Sequence, residues 1–271
     1  MILVVGGDSF MYGSELDSPS STYAGILSKQ TGMECANTSW PGNANNAISR
    51  MTMDKCQNLI EQQEKFAVLI TWTFVQRFEF RFNYSTKQAL SPWYSINSWT
   101  VEDDLKNVQL QFNYIDRDIL NAQLKNIASA RETGIADFAK IFYMHVGDSE
   151  YYELYSSLKE VIFMQNYLKL NNIPYIFTTA DGGFKDHPNY LRSADKHLAN
   201  LYNQVDWNQW FFFPAGTQAN QTQGPRGFYQ WAIENKYSVG TTHPLEEAHR
   251  DAAELLKEKF NELVTKSLQS N

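Results

Sequence analysis

Cysteine is nearly absent from this chain: its 271 residues include two, Cys35 and Cys56. Two thiols cannot build a disulfide framework, and neither sits at a metal-ligand spacing, so an apolar core must hold the fold and no metal is expected. Excess positive charge is lacking too. Lys and Arg number 23 against 30 Asp and Glu, giving a net charge of −7. That balance argues against a phosphate backbone or an anionic membrane as the main partner, so neither nucleic acid nor membrane is expected. Long apolar runs are also missing. Ile2-Leu3-Val4-Val5 has no basic segment before it and is far too short for a signal peptide, and no stretch approaches the roughly 20 residues of a membrane span. The expectation is a cytoplasmic protein. Aromatic residues, by contrast, are plentiful, with 17 Phe, 15 Tyr and 7 Trp.

Periodicity supplies the fold class. Residues 2–5 form a short β-branched run ended by Gly6-Gly7, as a buried parallel strand does. Helical character over 20–31 stops at Gly32. A weaker strand over 34–38 leads into the turn-rich Ser39-Trp40-Pro41-Gly42-Asn43, and a helix over about 44–65 precedes the clearest core strand, residues 66–72. This alternation predicts an α/β fold with a parallel sheet. The rhythm then breaks. Residues 77–84 alternate strictly between rings and polar groups, which predicts an edge strand or hairpin. Helices are expected over 116–143 and 150–170, strands over 173–179 and 210–213, and a closing helix over 245–267. Residues 74–114 hold ten aromatics in 41 positions, so much of the excess lies in an insertion at about 74–145 within one domain spanning 1–271.

Four short features carry chemistry. Gly7-Asp8-Ser9 follows the first strand, where open α/β sheets bind ligands. Either Asp8 and Ser9 serve only as cap and turn residues, or Ser9 faces a ligand. Gly42 and Asn43 follow the second strand, and a glycine there lets a backbone N–H approach a ligand closely. Thr71-Trp72-Thr73 ends the third strand. Thr242-His243-Pro244 precedes the last helix, and a neutral histidine there can take a proton from a serine hydroxyl.

Together these blocks resemble the SGNH hydrolases, also called GDSL esterases and lipases. That family carries Gly-Asp-Ser near its start, a glycine after the second strand, Gly-x-Asn-Asp after the third, and Asp-x-x-His-Pro before the last helix. The resemblance implies a flavodoxin-like three-layer sandwich with five mostly parallel strands. It implies Ser9 as nucleophile, His243 as general base, and an oxyanion hole from Ser9, Gly42 and Thr73. Two positions depart from the pattern. Thr73 stands where the family has an asparagine donor, for which Asn43, Asn45 or Asn46 are substitutes. Gly240 stands where the family has the aspartate that orients the histidine, for which Asp181, Asp186 or a backbone carbonyl are substitutes.

The resemblance implies cleavage of a carboxylic ester in a small molecule or carbohydrate, such as an O-acetyl group on a sugar, without a cofactor. Its rival is an SGNH-fold binding protein whose catalytic set has decayed. A nucleotide-binding flavodoxin-like domain is a third reading, which Asp8 disfavours because it would repel phosphate. Trp93, Tyr94 and Trp99 either form a platform for a sugar face or build a satellite core. Gly147-Asp148-Ser149 repeats the first block between two helical stretches, where it reads as a helix cap. Asp186-His187-Pro188 mimics the last block but falls before the final strand. His249 shares no helical face with His243, so the pair holds no zinc.

Overall fold

A computed structural model describes residues 1–83, 92–101, 117–182, 196–215 and 226–269. Its centre is a parallel sheet of four strands, β1 (Ile2–Gly6), β2 (Glu34–Asn37), β3 (Phe66–Trp72) and β6 (Tyr175–Thr179), in the order β2-β1-β3-β6. Successive side chains of a strand point to opposite faces, and both faces of β1 and β3 are covered, which is why those two strands read as unbroken apolar runs. Leu3, Val5, Leu69 and Ile176 pack on one face with α2 (Tyr23–Thr31), α8 (Phe228–Glu234) and α9 (Glu246–Gln269). Val4, Val68, Ile70, Trp72 and Phe177 pack on the other with α3 (Asn45–Glu61), α6 (Glu150–Leu170) and α7 (Lys196–Tyr202). The expected α/β three-layer architecture is therefore present.

The fifth strand shrinks to a single contact. Trp210 forms one parallel bridge with Phe177, and Phe211 N–H donates to the Phe177 carbonyl at 2.7 Å. A 3₁₀ turn, Trp207–Gln209, ends immediately before it, and Phe213 then bridges antiparallel to Arg226. The aromatic run is anchored by stacking, with Trp210 on Phe212 at 5.5 Å, more than by ladder bonds.

The alternating segment after β3 is a hairpin, β4 (Phe78–Arg81) paired antiparallel with β5 (Trp93–Ile96). Phe78, Phe80 and Phe82 share one face and pack with α5 (Ile135–Phe142) and with Ala130 of α4 (Arg117–Glu132) into a separate small core. Gly134, in the left-handed region at φ 76°, interrupts the long helix expected over 116–143. Ser149 caps α6 by accepting from Tyr152 N–H, so the second Gly-Asp-Ser is a helix cap.

Glu153 of α6 lies almost wholly buried. Burial first, then the negative charges of Asp148 and Glu150, push its carboxyl up to about 7. Between its ordinary 4.5 and that value the native chain holds a proton that the unfolded chain has released, so stability falls as pH rises through this window. Glu153→Gln removes that slope. Thermal unfolding followed from pH 5 to 8 is expected to show wild type losing stability relative to the variant, and parallel curves would contradict the assignment.

Candidate active site

The carboxyl ends of β1, β2 and β3 open onto one edge of the sheet, the edge where ligands bind in open α/β folds. Beyond β1 the chain makes a single helical turn, α1 (Ser9–Tyr12), capped by the Asp8 carboxylate accepting from Phe10 N–H at 3.1 Å. Gly13, in the left-handed region at φ 85°, ends the turn. Glu15 is left-handed as well, at φ 68°, a conformation that costs a non-glycine residue about 1–2 kcal/mol. These two reversals carry the Glu15 side chain to the other end of the chain.

There, residues 240–243 form a tight loop in which Gly240 N–H donates to the His243 carbonyl at 2.9 Å. His243 Nε2 lies 2.7 Å from Ser9 Oγ, and its Nδ1 lies 2.9 Å from Glu15 Oε1. The same carboxylate accepts from Thr241 N–H at 2.5 Å, from Thr242 N–H at 3.3 Å and from the Thr242 hydroxyl at 3.2 Å. Burial raises the Glu15 carboxyl. The hydrogen bond and charge of His243 and the two threonine amides outweigh it and hold the group below its ordinary value. Serine, histidine and carboxylate therefore stand in line, with the carboxylate ionised at neutral pH.

Glu15 is the residue that sequence reasoning missed. It lies 228 positions from His243, and no periodicity links the two. One signal was available: Glu15 and Asp17 are the acidic residues between Ser9 and Glu34. Gly240 explains the vacancy at the family's aspartate position. A Cβ built there would meet Glu15 Oε2 at 2.0 Å, so the carboxylate occupies the space a side chain would take. Asp181 is elsewhere, accepting from Gln230 Nε2 at 2.5 Å and bonded to Thr179. Asp186 and His187 lie outside the described residues.

Trp40-Pro41-Gly42-Asn43 is a tight turn closed by Asn43 N–H donating to the Trp40 carbonyl at 3.2 Å, with Gly42 left-handed at φ 81°. It is fastened to the loop that carries Ser9, since the Gly7 carbonyl accepts from Trp40 N–H at 3.4 Å and from Asn43 Nδ2 at 3.1 Å. Among the described residues, neither Ser9 N–H nor Gly42 N–H has a hydrogen-bond partner. Thr73 behaves differently from the expectation. Its hydroxyl donates to the fully buried Asp8 at 2.5 Å, so its proton is committed away from an oxyanion. The carboxamides named as substitutes are engaged as well: Asn43 on Gly7, Asn45 on the Thr73 backbone, and Asn46 on the Glu79 backbone.

Of the two alternatives for the rings of the insertion, Tyr94 follows the satellite core. Trp93 lies under the Arg50 guanidinium at 4.5 Å, Tyr94 packs on the small hairpin core, and the Trp99 side chain lies outside the described residues. At the rim stand Tyr12 and Trp40 instead, 38% and 57% exposed, with ring centroids 5.5 Å apart. Phe10 lies 4.9 Å from the His243 ring and 5.8 Å from Tyr229 on the inner side. His249 is buried, and its Nδ1 accepts from Tyr23 N–H at 3.1 Å. Burial and the neighbouring His243 push it down to about 3, so it is a neutral core residue. A cleft of about 570 Å³ lined by Lys169, Tyr175, Phe211 and Lys259 lies at the start of β6, the opposite edge from Ser9.

No family model and no curated protein sequence matches the chain. Among solved structures it is similar to the psychrotrophic esterase EstA from Pseudoalteromonas sp., inhibited in that structure by monoethylphosphonate. The identity is 10%, 99% of each chain is covered, and the TM-score is 0.44. It is also similar to a protein from Desulfitobacterium hafniense DCB-2 described as lipolytic and of the G-D-S-L family. There the identity is 11%, coverage is 94% of this chain and 97% of that one, and the TM-score is 0.28.

The packing of Glu15 against Gly240 is directly testable. Gly240→Ala is expected to destabilise the fold by about 1–3 kcal/mol through overpacking. The cost should shrink in a Glu15→Ala background, where the clash is gone. Denaturant unfolding of the two single variants and the double measures the coupling, and additive effects would contradict the contact.

Proposed function

We propose that the protein is a serine hydrolase cleaving a carboxylic ester. The observation that carries this reading is the unbroken line from Ser9 Oγ through His243 to Glu15, with contacts of 2.7 and 2.9 Å. In the reaction, Ser9 Oγ attacks the ester carbonyl while His243 Nε2 takes the hydroxyl proton. Glu15, ionised, accepts from Nδ1–H, which fixes the tautomer that leaves Nε2 free to act as base and stabilises the imidazolium that forms. The carbonyl oxygen, now negative, is held by the Ser9 and Gly42 N–H groups. His243 then returns the proton to the leaving alcohol, and a water repeats the cycle on the acyl-serine.

An O-acetyl group on a carbohydrate is the substrate class we favour. The ring of Phe10 crowds the side of His243 and suits a short acyl group, while the exposed Trp40, with Tyr12 against its edge, offers an apolar ring to a sugar. A decayed binding protein is the rival reading. Glu15 removes one of the two gaps on which that reading rests, because the histidine has an acid.

A fluorophosphonate probe tests the nucleophile. Wild type is expected to label at Ser9, and Ser9→Ala to be both unlabelled and inactive toward p-nitrophenyl acetate. A folded wild type that stays unlabelled would overturn the hydrolase reading. Glu15→Gln, which keeps the shape but removes the charge, should lower kcat/KM by about 10²–10⁴-fold, the range reached when a triad loses its acid. Retention of full activity would remove Glu15 from the mechanism.

A further inference from the structure

Arg77 stands five residues beyond the end of β3 and folds back over its carboxyl end. Its Nη1 lies 2.9 Å from Asp8 Oδ2, 3.0 Å from Thr73 Oγ1 and 3.5 Å from the Asn43 carbonyl oxygen. These three partners belong to the ends of β1 and β3 and to the turn after β2, and the first and last of these segments also carry Ser9 and Gly42. The guanidinium lies 4.8 Å over the Phe74 ring, Phe74 touches Phe10, and Phe10 touches His243. Among the described residues, every polar contact of Arg77 runs through Nη1, while Nη2 and Nε have no partner. The side chain is 18% exposed, so the guanidinium is not sealed in the core.

We propose that Arg77 is the third oxyanion donor of this site, supplying through Nη2–H or Nε–H the hydrogen bond that Thr73 cannot give; the inference rests on the hydrolase reading above. Thr73 Oγ1 marks where a longer amide side chain at that position would begin, and the Arg77 nitrogen is already 3.0 Å from it. A guanidinium stays charged across the working pH range, and a charged donor makes a hydrogen bond about twice as strong as a neutral amide does. The buried Asp8 carboxylate neutralises the resting cation. The Asp8–Arg77 pair is therefore neutral as a unit at rest, and the spare donors act when the oxyanion forms.

Arg77→Lys separates this role from that of a mere partner for Asp8. A lysine keeps one charge for Asp8 but lacks the second nitrogen that would reach the oxyanion. On p-nitrophenyl acetate, Arg77→Lys is expected to lower kcat about 10²–10³-fold, the range for loss of one oxyanion donor, with KM changed by less than about threefold. The loss should be the same for a p-nitrophenyl monosuccinate ester, which carries a carboxylate. In Arg77→Ala, added guanidinium ion should restore part of kcat, a rescue that a purely structural role would not give. Unchanged kcat in Arg77→Lys, or no guanidinium rescue in a folded Arg77→Ala, would overturn the proposal. A KM increase confined to the succinate ester would overturn it too, by making Arg77 a substrate-carboxylate anchor. A wild type inactive on every ester and unlabelled at Ser9 would instead overturn the hydrolase reading, and this inference with it.

Discussion

The Glu15 carboxylate is the contact on which the site depends. It receives hydrogen bonds from two backbone amides, a hydroxyl and an imidazole, all in the 241–243 loop. Without them a buried carboxylate would be raised in pKa and costly to keep charged; with them it stays ionised and fixes the ring of His243. Its left-handed backbone is strain placed where the chain turns from Ser9 toward His243, and the surrounding bonds hold it there. Each of these features supports the others. Gly240 leaves room for the carboxylate, the carboxylate orders the loop, and the loop presents His243 to Ser9.

A second set of contacts fixes the Ser9 side. The Gly7 carbonyl, two residues before Ser9, fastens the Trp40–Asn43 turn through a backbone and a side-chain donor. Asp8 caps the one-turn helix, takes the Thr73 hydroxyl and pairs with Arg77. Removing one partner of a buried ion pair typically costs about 3–5 kcal/mol. Asp8 therefore ties the ends of β1 and β3 together, while among the described residues the amides of Ser9 and Gly42 have no hydrogen-bond partner. The site is built from segments far apart in the chain and rigid because the sheet beneath them is packed on both faces.

Much of this was legible in the sequence, for identifiable reasons. The β-branched runs at 2–5 and 66–72 read as buried strands, and the ring alternation over 77–84 as an edge strand or hairpin. Ser9, Gly42 and His243 were visible because each follows or precedes an element whose end is marked locally. The fifth strand was misjudged because Trp210-Phe211-Phe212-Phe213 has strand composition, but its rings stack on one another and leave the ladder after one bridge. Thr73 was read as a donor toward the ligand, since nothing local shows that its proton goes to Asp8, 65 positions away. Glu15 was illegible for the same reason. Its partners are made adjacent by the return of the chain's end to its beginning, and no spacing rule encodes that.

The proposed role of Glu15 as the acid behind His243 is the central claim, and exchanging positions 15 and 240 tests it most directly. The values of kcat/KM for p-nitrophenyl acetate would be compared for wild type, Glu15→Ala and the double variant Glu15→Ala/Gly240→Asp. Because a Cβ at Gly240 points at the space that Glu15 fills, the new aspartate would place its carboxylate beside His243. The account predicts that Glu15→Ala is strongly impaired and that the double variant regains part of the lost activity. A Glu15→Ala enzyme as active as wild type would contradict it.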